Sequence, residues 1–543
     1  FETYTTEQPQ WVYPPLGHLG NGPSGVAWLT GKTVPEDLRN GFLVTNYRGA
    51  PKNSNIIHVS LKSKGASYAI DRNSILVEGV AVCDVELGYD GNLYLADYGG
   101  GWSVNKNGTI QVMRPTDPQK RALGKEISLA FKKGFYDRSL PELKLLLSHD
   151  DQRVRQAAQF AIVQKGSEAT DTLTAIMDEG DNKNQASLHA LWGLGQLYRN
   201  GEKSAADPLV KSLSSENAEI RANAARTCGD IGLSSSMEPL ISLLNDSSKR
   251  VVSLAAVALG RVAPSGDKLA VEALFKRCMS NEGSSFDVTV RHAILSALSR
   301  LASPEQTLSM AKADSFEQRM LSLLVCRRLG HPHLDLFLDD ESSAIRREAV
   351  SAIYDTNALD SPSGKKLISL NPEDFPFHQQ VRLVAAYFRI GTEEAAAALI
   401  NACSNSNLKE EVRVFAMEAL LRWSLPMDTD PVLGHYRPTL KSTFTRSDLV
   451  KSYGKKIRAL VEKEKAPKLA SILGRFVMEA GISMNPAVLR KQVLDTKLNP
   501  QVRASNLRSL ISLKATEDNE IITKLIEDKS GLVRSVSYSG LLE

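Results

Sequence analysis

A short phrase, Val or Ile followed by Arg with Ala close behind, recurs through most of this chain and constrains its fold more than any other feature. It reads Val154-Arg155-Gln156-Ala157-Ala158, Ile220-Arg221-Ala222-Asn223-Ala224 and Val290-Arg291-His292-Ala293. Further copies stand at Ile345-Arg346, Val381-Arg382, Val412-Arg413, Val502-Arg503 and Val533-Arg534. Residues 381 and 412 are about 31 apart, as are 502 and 533, while 345 and 381 are about 36 apart. The wider gap of about 66 between 154 and 220 has room for a degenerate copy. A period in this range means stacked units, none of which buries its apolar face alone. At 543 residues the chain is too long for one compact core. The expected fold class is therefore mostly α, an α-solenoid, and such folds recognise partners along an extended surface.

Residues 1–115 follow a different period. Short apolar runs at Gly25–Leu29, Gly41–Thr45 and Asn55–Val59 are separated by Gly, Pro, Asn and Asp, as antiparallel strands require. Cys83–Tyr89 and Asn92–Asp97 flank Asp90-Gly91, a favoured two-residue hairpin turn in which both positions tolerate positive φ. A second turn is expected at Asn107-Gly108, between Trp102-Ser103-Val104 and Thr109–Met113. Strands of this length suit two or three propeller blades or a sandwich, and something must cover the open sheet edge.

From Asp117 onward the period is helical, and residues 116–543 have room for roughly twelve helix pairs. Asp151, Asn217, Asp246 and Asp340 lie just before the phrase and are read as helix caps. The Val or Ile enters the core, and the alanines keep the helices slim where neighbours cross. Gly166, Gly232, Gly260 and Gly330 are read as helix ends needing positive φ. Between residues 424 and 440 the pattern lapses around Pro426, Pro431 and Pro438, an irregular repeat or hinge.

Several function classes are excluded by composition. Net charge is only +4, so an extended phosphate-binding surface is not indicated, although roughly eight excess positive charges fall after Lys441. Aromatic residues are 6%, too few for a base-stacking groove, which sets aside a solenoid glycosylase acting on nucleic acid. Cys83, Cys228, Cys278, Cys326 and Cys403 form no Cys-x-x-Cys pair, so no zinc knuckle, redox dithiol or haem-attachment motif is present, and most of them read as small core residues. No apolar run is long enough to span a membrane. Phe1 and Leu542-Glu543 read as cuts in a longer polypeptide.

The helical phrase resembles HEAT repeats, particularly the short variety found in phycobilin-lyase-like proteins. The resemblance implies that the arginine after Val or Ile reaches an acidic or carbonyl group of the neighbouring repeat. Arg155, Arg221, Arg291, Arg346, Arg382, Arg413, Arg503 and Arg534 would then form an internal structural ladder. The alternative is an exposed basic stripe for phosphate or carboxylate ligands.

Residues Gly22–Ala27, Gly41–Gly49, and Asp84–Tyr98 with Gly101-Trp102 resemble the closing blades of a sorbosone/glucose dehydrogenase-type β-propeller. The order of motifs is similar to that of the putative membrane-bound dehydrogenase domain of Planctomycetes and Verrucomicrobia, in which HEAT repeats follow. That resemblance implies a periplasmic or extracellular protein, with a c-type haem module often downstream. It implies pyrroloquinoline quinone and calcium in the complete propeller, and Arg48 falls where a cofactor-binding cation would stand. The chain departs from the family in three places. Val80-Ala81-Val82-Cys83 lacks the arginine often found there, Tyr89 replaces a proline, and Tyr98 replaces a tryptophan.

No catalytic set is complete. His331-Pro332-His333-x-Asp335 has the look of a metal cluster but sits in a loop broken by proline, and no metal is assigned to it. His18 and His58 read as surface or turn residues. Asp84, Asp90 and Asp97 have the ligand chemistry for calcium, although Asp90 already has a turn role and Asp97 closes a strand. Lys451, Lys455, Lys456 and Arg458 suit an acidic partner or a solvated helix face. The functional expectation is an extracytoplasmic protein-interaction scaffold, a fragment of a larger protein. Its partners are proteins, the rest of its own propeller among them, and not nucleic acid. The alternative is part of a quinone-dependent sugar or alcohol dehydrogenase passing electrons to a c-type cytochrome.

Overall fold

The computed structural model describes residues 15–103, 106–179, 185–278, 287–356, 358–425, 427–439, 442–513 and 516–542. Val104 and Pro426, named above, lie outside the described residues. Two compact units meet at residue 307, Phe1–Thr307 and Leu308–Glu543.

Alternating apolar runs at the front of the first unit form two antiparallel sheets. One sheet runs in the order β1 (Pro23–Trp28), β2 (Gly41–Asn46), β3 (Asn55–Lys64), β4 (Ser67–Glu78). The other runs β5 (Val82–Leu87), β6 (Leu93–Asp97), β7 (Thr109–Met113). Strand β4 is polar over Asp71-Arg72-Asn73-Ser74, which hides it from an apolar-run reading and suits a sheet edge that must not recruit another chain. Leu29, Leu43, Ile56, Val85, Leu87 and Leu95 bring the two sheets onto one core. Thr45 Oγ1 links them directly, donating to Cys83 O at 3.1 Å.

Two hairpins differ from expectation. Gly88 N donates to Asn92 O at 2.8 Å, so Tyr89, Asp90 and Gly91 form a three-residue loop in which only Gly91 has positive φ, 76°. A type I turn closed by a left-handed glycine matches strand twist as well as a two-residue turn does. Trp102 and Ser103 are not a strand; β6 and β7 pair directly, Asp97 opposite Thr109, across a long connection. His58 is a core residue of β3, not a surface one, and its Nε2 pairs with Leu38 O at 3.1 Å.

Helices begin at α1 (Pro118–Lys133), capped by the Asp117 side chain. In each later unit a short first helix precedes a longer second one. The first helices of this half are α2 (Leu140–Leu146), α4 (Glu168–Asp178), α6 (Ala206–Ser212), α8 (Met237–Leu243) and α10 (Lys268–Arg277). The second helices are α3 (Gln152–Val163), α5 (Ala186–Arg199), α7 (Ala218–Ile231), α9 (Lys249–Val262) and α11 (Val288–Leu301). Each second helix packs on the next, which is how the apolar faces are buried. The division between units falls within α12 (Pro304–Ser309).

Helices of the second unit are α13 (Phe316–Leu329), α14 (Ser343–Asp355), α15 (Pro362–Ile368), α16 (Phe377–Ile390), α17 (Glu393–Ser404) and α18 (Glu410–Leu421). They continue as α19 (Arg446–Lys463), α20 (Pro467–Glu479), α21 (Pro486–Leu494), α22 (Pro500–Ser512), α23 (Asn519–Lys524) and α24 (Gly531–Leu542). Here α14, α16, α18, α20, α22 and α24 form the packed row. The protein is mostly helical and solenoid-like, with a small antiparallel β region in front.

Asp151 and Asn217 cap α3 and α7, accepting from Arg153 N and Glu219 N. Asp246 and Asp340 are not caps. They precede the N-caps Ser248 and Ser342 by two residues and accept those residues' backbone N–H at 2.8 Å. Gly166, Gly232 and Gly330 have φ of 64°, 66° and 66°, as helix ends. Gly260 does not; it lies inside α9, where it permits a close crossing with α11.

The sheets of the first unit seat directly on its first repeat. Arg153 Nη1 donates to Leu87 O at 2.5 Å, and its guanidinium lies over Tyr89. Tyr89 in turn stacks on Phe131 of α1 with centroids 3.8 Å apart. At the far tip of the long β3–β4 hairpin, Ala66 N donates to Asp287 Oδ2 at 2.9 Å, beside the start of α11.

Candidate functional site

Four residues after an N-cap, a helix side chain lies back over the turn that entered the helix, within reach of the loop carbonyls just before the cap. The phrase arginines use this placement. Arg221 donates through Nη1 to Ser215 O and Glu216 O at 2.8 and 2.9 Å. Arg346 reaches Asp340 O and Glu341 O at 2.6 and 2.9 Å, and Arg534 reaches Asp528 O and Lys529 O at 2.7 and 3.2 Å. Arg155 makes the same pair of bonds to His149 O and Asp150 O. Arg413 and Arg503 instead use Nε on Cys403 O and Val493 O, at 2.9 and 2.8 Å.

The remaining guanidinium edge crosses to the next repeat. Arg221 meets Asp246 at 2.7 and 3.0 Å, Arg503 meets Asp528 at 3.2 and 2.5 Å, and Arg413 meets Glu464. Burial would raise the Asp246 carboxyl, but Arg221 and the Ser248 N–H hold it below its ordinary value. Arg503 does the same for Asp528. Arg291 sits half-buried at the corresponding place on α11.

Arg382 departs from this pattern. After Pro376 the helix α16 starts early, so Gln379 takes the buried position, Val381 is only half-buried and Gln380 stands in the arginine's place. Gln380 Nε2 bonds Phe375 O at 2.8 Å. Arg382 instead joins a buried network, bonding Asp355 at 3.0 Å while Arg327 bonds both Asp355 and Glu348. Burial outweighs the pull of Arg327 and pushes the Glu348 carboxyl up to about 7.

Two members of the series escape the phrase. Arg319 of α13 bonds Ala313 O, Asp314 O and Asp340, yet Gln318 precedes it where Val or Ile was sought. His189 of α5 stands four residues after its N-cap and donates from Nδ1 to Gln159 Oε1 at 2.8 Å. Burial, with the nearby Arg155, lowers the His189 pKa to about 4. Distance from the N-cap is the signal that would have found both. On α9 that position is Val252, which makes no rung.

A depression of about 280 Å³ lies on α5 and α7, lined by Trp192, Gln196, Arg199, Arg226, Thr227 and Asp230. Trp192 Nε1 donates to Asn223 Oδ1 at 3.2 Å, fixing the indole, and Gln159 Nε2 donates to Gln196 Oε1 at 3.0 Å. Asp230 lies 3.6 Å from Arg226 and accepts from Arg261 of α9. The wall therefore offers an aromatic face, an amide and exposed guanidinium groups.

Other candidates are dispersed. Asp84 accepts from Val85 N, Asp90 from Asn92 and Tyr94, and Asp97 from Gly99 N and Gln111. His331 and His333 have ring centroids 5.6 Å apart, while Asp335 is bonded by Ser363. Among the described residues no three His, Cys, Asp or Glu side chains gather as a metal site requires. His18 is exposed beside Asn21, and Lys456 bonds Asn401 Oδ1 at 2.8 Å on the exposed side of α19. Arg48 is exposed after β2, next to an aromatic cluster of Tyr47, Tyr98 and Trp102.

Among the described residues no helix is long and apolar enough to cross a membrane. No curated protein sequence matches the chain. Among solved structures it is similar to a homology model of the full-length AP-3 complex, at 15% identity over 74% of this chain and 81% of that one, TM-score 0.33. It is also similar to the CpcE–CpcF phycocyanin lyase complex from Nostoc sp. PCC7120, at 21% identity over 47% and 87%, TM-score 0.23. A third similarity is to Kap95p in complex with RanGDP, at 11% identity over 78% and 64%, TM-score 0.35. The family model described as HEAT repeats matches residues 171–260 and 206–285, which include α5, α7 and α9 with their Trp192 depression. The chain contains HEAT repeats.

Proposed function

We propose that this chain is a protein-interaction scaffold whose partners dock on the packed row of second helices. The observation that carries the reading is the Trp192 depression with its flanking Arg199 and Arg226, because tryptophan and arginine dominate binding energy at protein interfaces. The near-neutral charge supports protein partners over nucleic acid. A photo-crosslinking residue placed at Arg226 should capture the same partner in repeated preparations. One placed at Leu145, 77% exposed on α2, should not. Equal capture from both positions, or from neither, rejects this face.

The finer reading is a scaffold outside the cytoplasm, attached to a dehydrogenase-like propeller whose other blades also bind this chain. Its support is the four-stranded antiparallel meander β1–β4, the strand count and order of one blade. Fractionation of cells with an antibody to the chain tests the location, and recovery in the cytoplasmic fraction rejects it. The quinone expectation fits poorly. Beside Arg48, the groups around Tyr47 are Cys83, Asp97 and Tyr98, neutral or acidic surroundings for a polycarboxylate cofactor. No redox step is assigned to these residues.

A further inference from the structure

Between the β1–β2 hairpin and the turn into α3 lies a polar cavity of about 270 Å³, whose lining includes Lys32, Arg39, His149, Asp150, Arg155 and Gln185. Arg155 lacks the cross-repeat carboxylate that four other rungs have. Arg221, Arg319, Arg413 and Arg503 each face a carboxylate of the following repeat, at Asp246, Asp340, Glu464 and Asp528. Arg155 faces the amide oxygen of Gln185 instead. It is only 5% exposed, and its Nε is buried with no hydrogen-bond partner.

The carboxylates closest in sequence are already engaged. Asp151 is held by Arg153 at 2.7 Å and Asp150 by Lys32 at 2.7 Å. Arg39, on the other wall, also has a buried Nε without a partner; its Nη2 reaches only Val34 O, at 3.2 Å. His149 Nδ1 accepts from Asp151 N at 2.9 Å, which leaves Nε2 as a donor. The cavity lining therefore carries three cations, Lys32, Arg39 and Arg155, against one carboxylate, Asp150. Buried guanidinium groups ordinarily find an anion, and their planar donor fork matches carboxylate and phosphate oxygens.

We propose that this cavity is a binding site for a small oxyanion, a phosphate or carboxylate group that supplies the counter-charge Gln185 does not. The site is separate from the Trp192 face and does not depend on it.

Thermal melting of the full chain tests this, in sodium chloride, inorganic phosphate and succinate at equal ionic strength. Phosphate or succinate should raise the melting midpoint above the chloride value. A response to phosphate alone assigns a phosphate ligand, and a response to succinate alone assigns a carboxylate. Gln185→Glu builds the missing carboxylate into the protein. It should raise the midpoint in chloride and remove the extra effect of either anion. Arg39→Gln leaves the Arg155 rung intact and should weaken the midpoint titration about tenfold, the loss of one charge-assisted hydrogen bond. The proposal is overturned if neither anion exceeds chloride with the unaltered protein. It is equally overturned if the anion effect persists undiminished in both variants.

Discussion

Gly229 of α7 passes so close to Ala258 of α9 that a Cβ built on the glycine would lie 2.7 Å from the alanine's Cα and Cβ. Gly260 of α9 repeats the relationship with Ala297 of α11, at 2.7 and 3.0 Å. Glycine is a poor helix former, so its presence inside these helices reflects packing between repeats rather than local preference. Gly229→Ala should gain about 1 kcal/mol of helix propensity yet lose about 1–3 kcal/mol to overpacking. The expected result is a lower urea midpoint for Gly229→Ala and for Gly260→Ala. A raised midpoint would show that the helices separate without cost.

Arg221 and Asp246 are both mostly buried, so removing one strands the other. Arg221→Ala should destabilise by about 3 kcal/mol, because Asp246 keeps its charge and loses two of its bonds. The exposed pair Lys211–Asp178, also 2.7 Å apart, should matter little, and Lys211→Ala should cost under about 1 kcal/mol. Denaturant midpoints of the two variants, measured together, check the contrast.

Acid should weaken the protein through His189. Its folded pKa of about 4 lies below the ordinary imidazole value of 6.5, so the unfolded chain takes up the proton first. The stabilisation is therefore complete above pH 6.5 and is lost as pH falls toward 4, by up to about 3 kcal/mol. His189→Gln keeps a donor for Gln159 without the titration. Melting curves from pH 7 to pH 4.5 should fall less steeply for that variant than for the unaltered protein.

The irregular segment between α18 and α19 is pinned at Asp430, which is 0% exposed. Its carboxylate accepts from Tyr354 Oη at 2.9 and 2.8 Å, from Arg437 at 3.0 Å, and from the N–H groups of Val432 and Leu433. Arg389 adds bonds to Arg437 O and Pro438 O at 2.8 and 3.0 Å. Asp430→Ala removes the buried carboxylate that Arg437 and Tyr354 share and should destabilise by about 3–5 kcal/mol. Limited proteolysis should then cut between residues 424 and 440 well before other sites. Resistance equal to that of the unaltered protein would refute the anchoring role.

The amino-acid sequence alone determined the mostly helical, repeated architecture with a small strand region ahead of it. Those features follow from local physics. Apolar periodicity sets the helix faces, the side chains of Asp117, Asp151 and Asn217 cap helices within a few residues of themselves, and Gly166, Gly232 and Gly330 end helices through their own φ. The tertiary structure alone decided what depends on a neighbouring repeat. Gly260 reads like a helix terminator until Ala297 is seen against it, and Val381-Arg382 reads like a rung until the early start of α16 moves Gln380 into place. Arg319 and His189 carry no sequence phrase, and Arg155 shares its phrase with Arg221 but lacks a carboxylate opposite. Charge partners and crossing distances are set across repeats rather than along the chain, so identical local words acquire different surroundings.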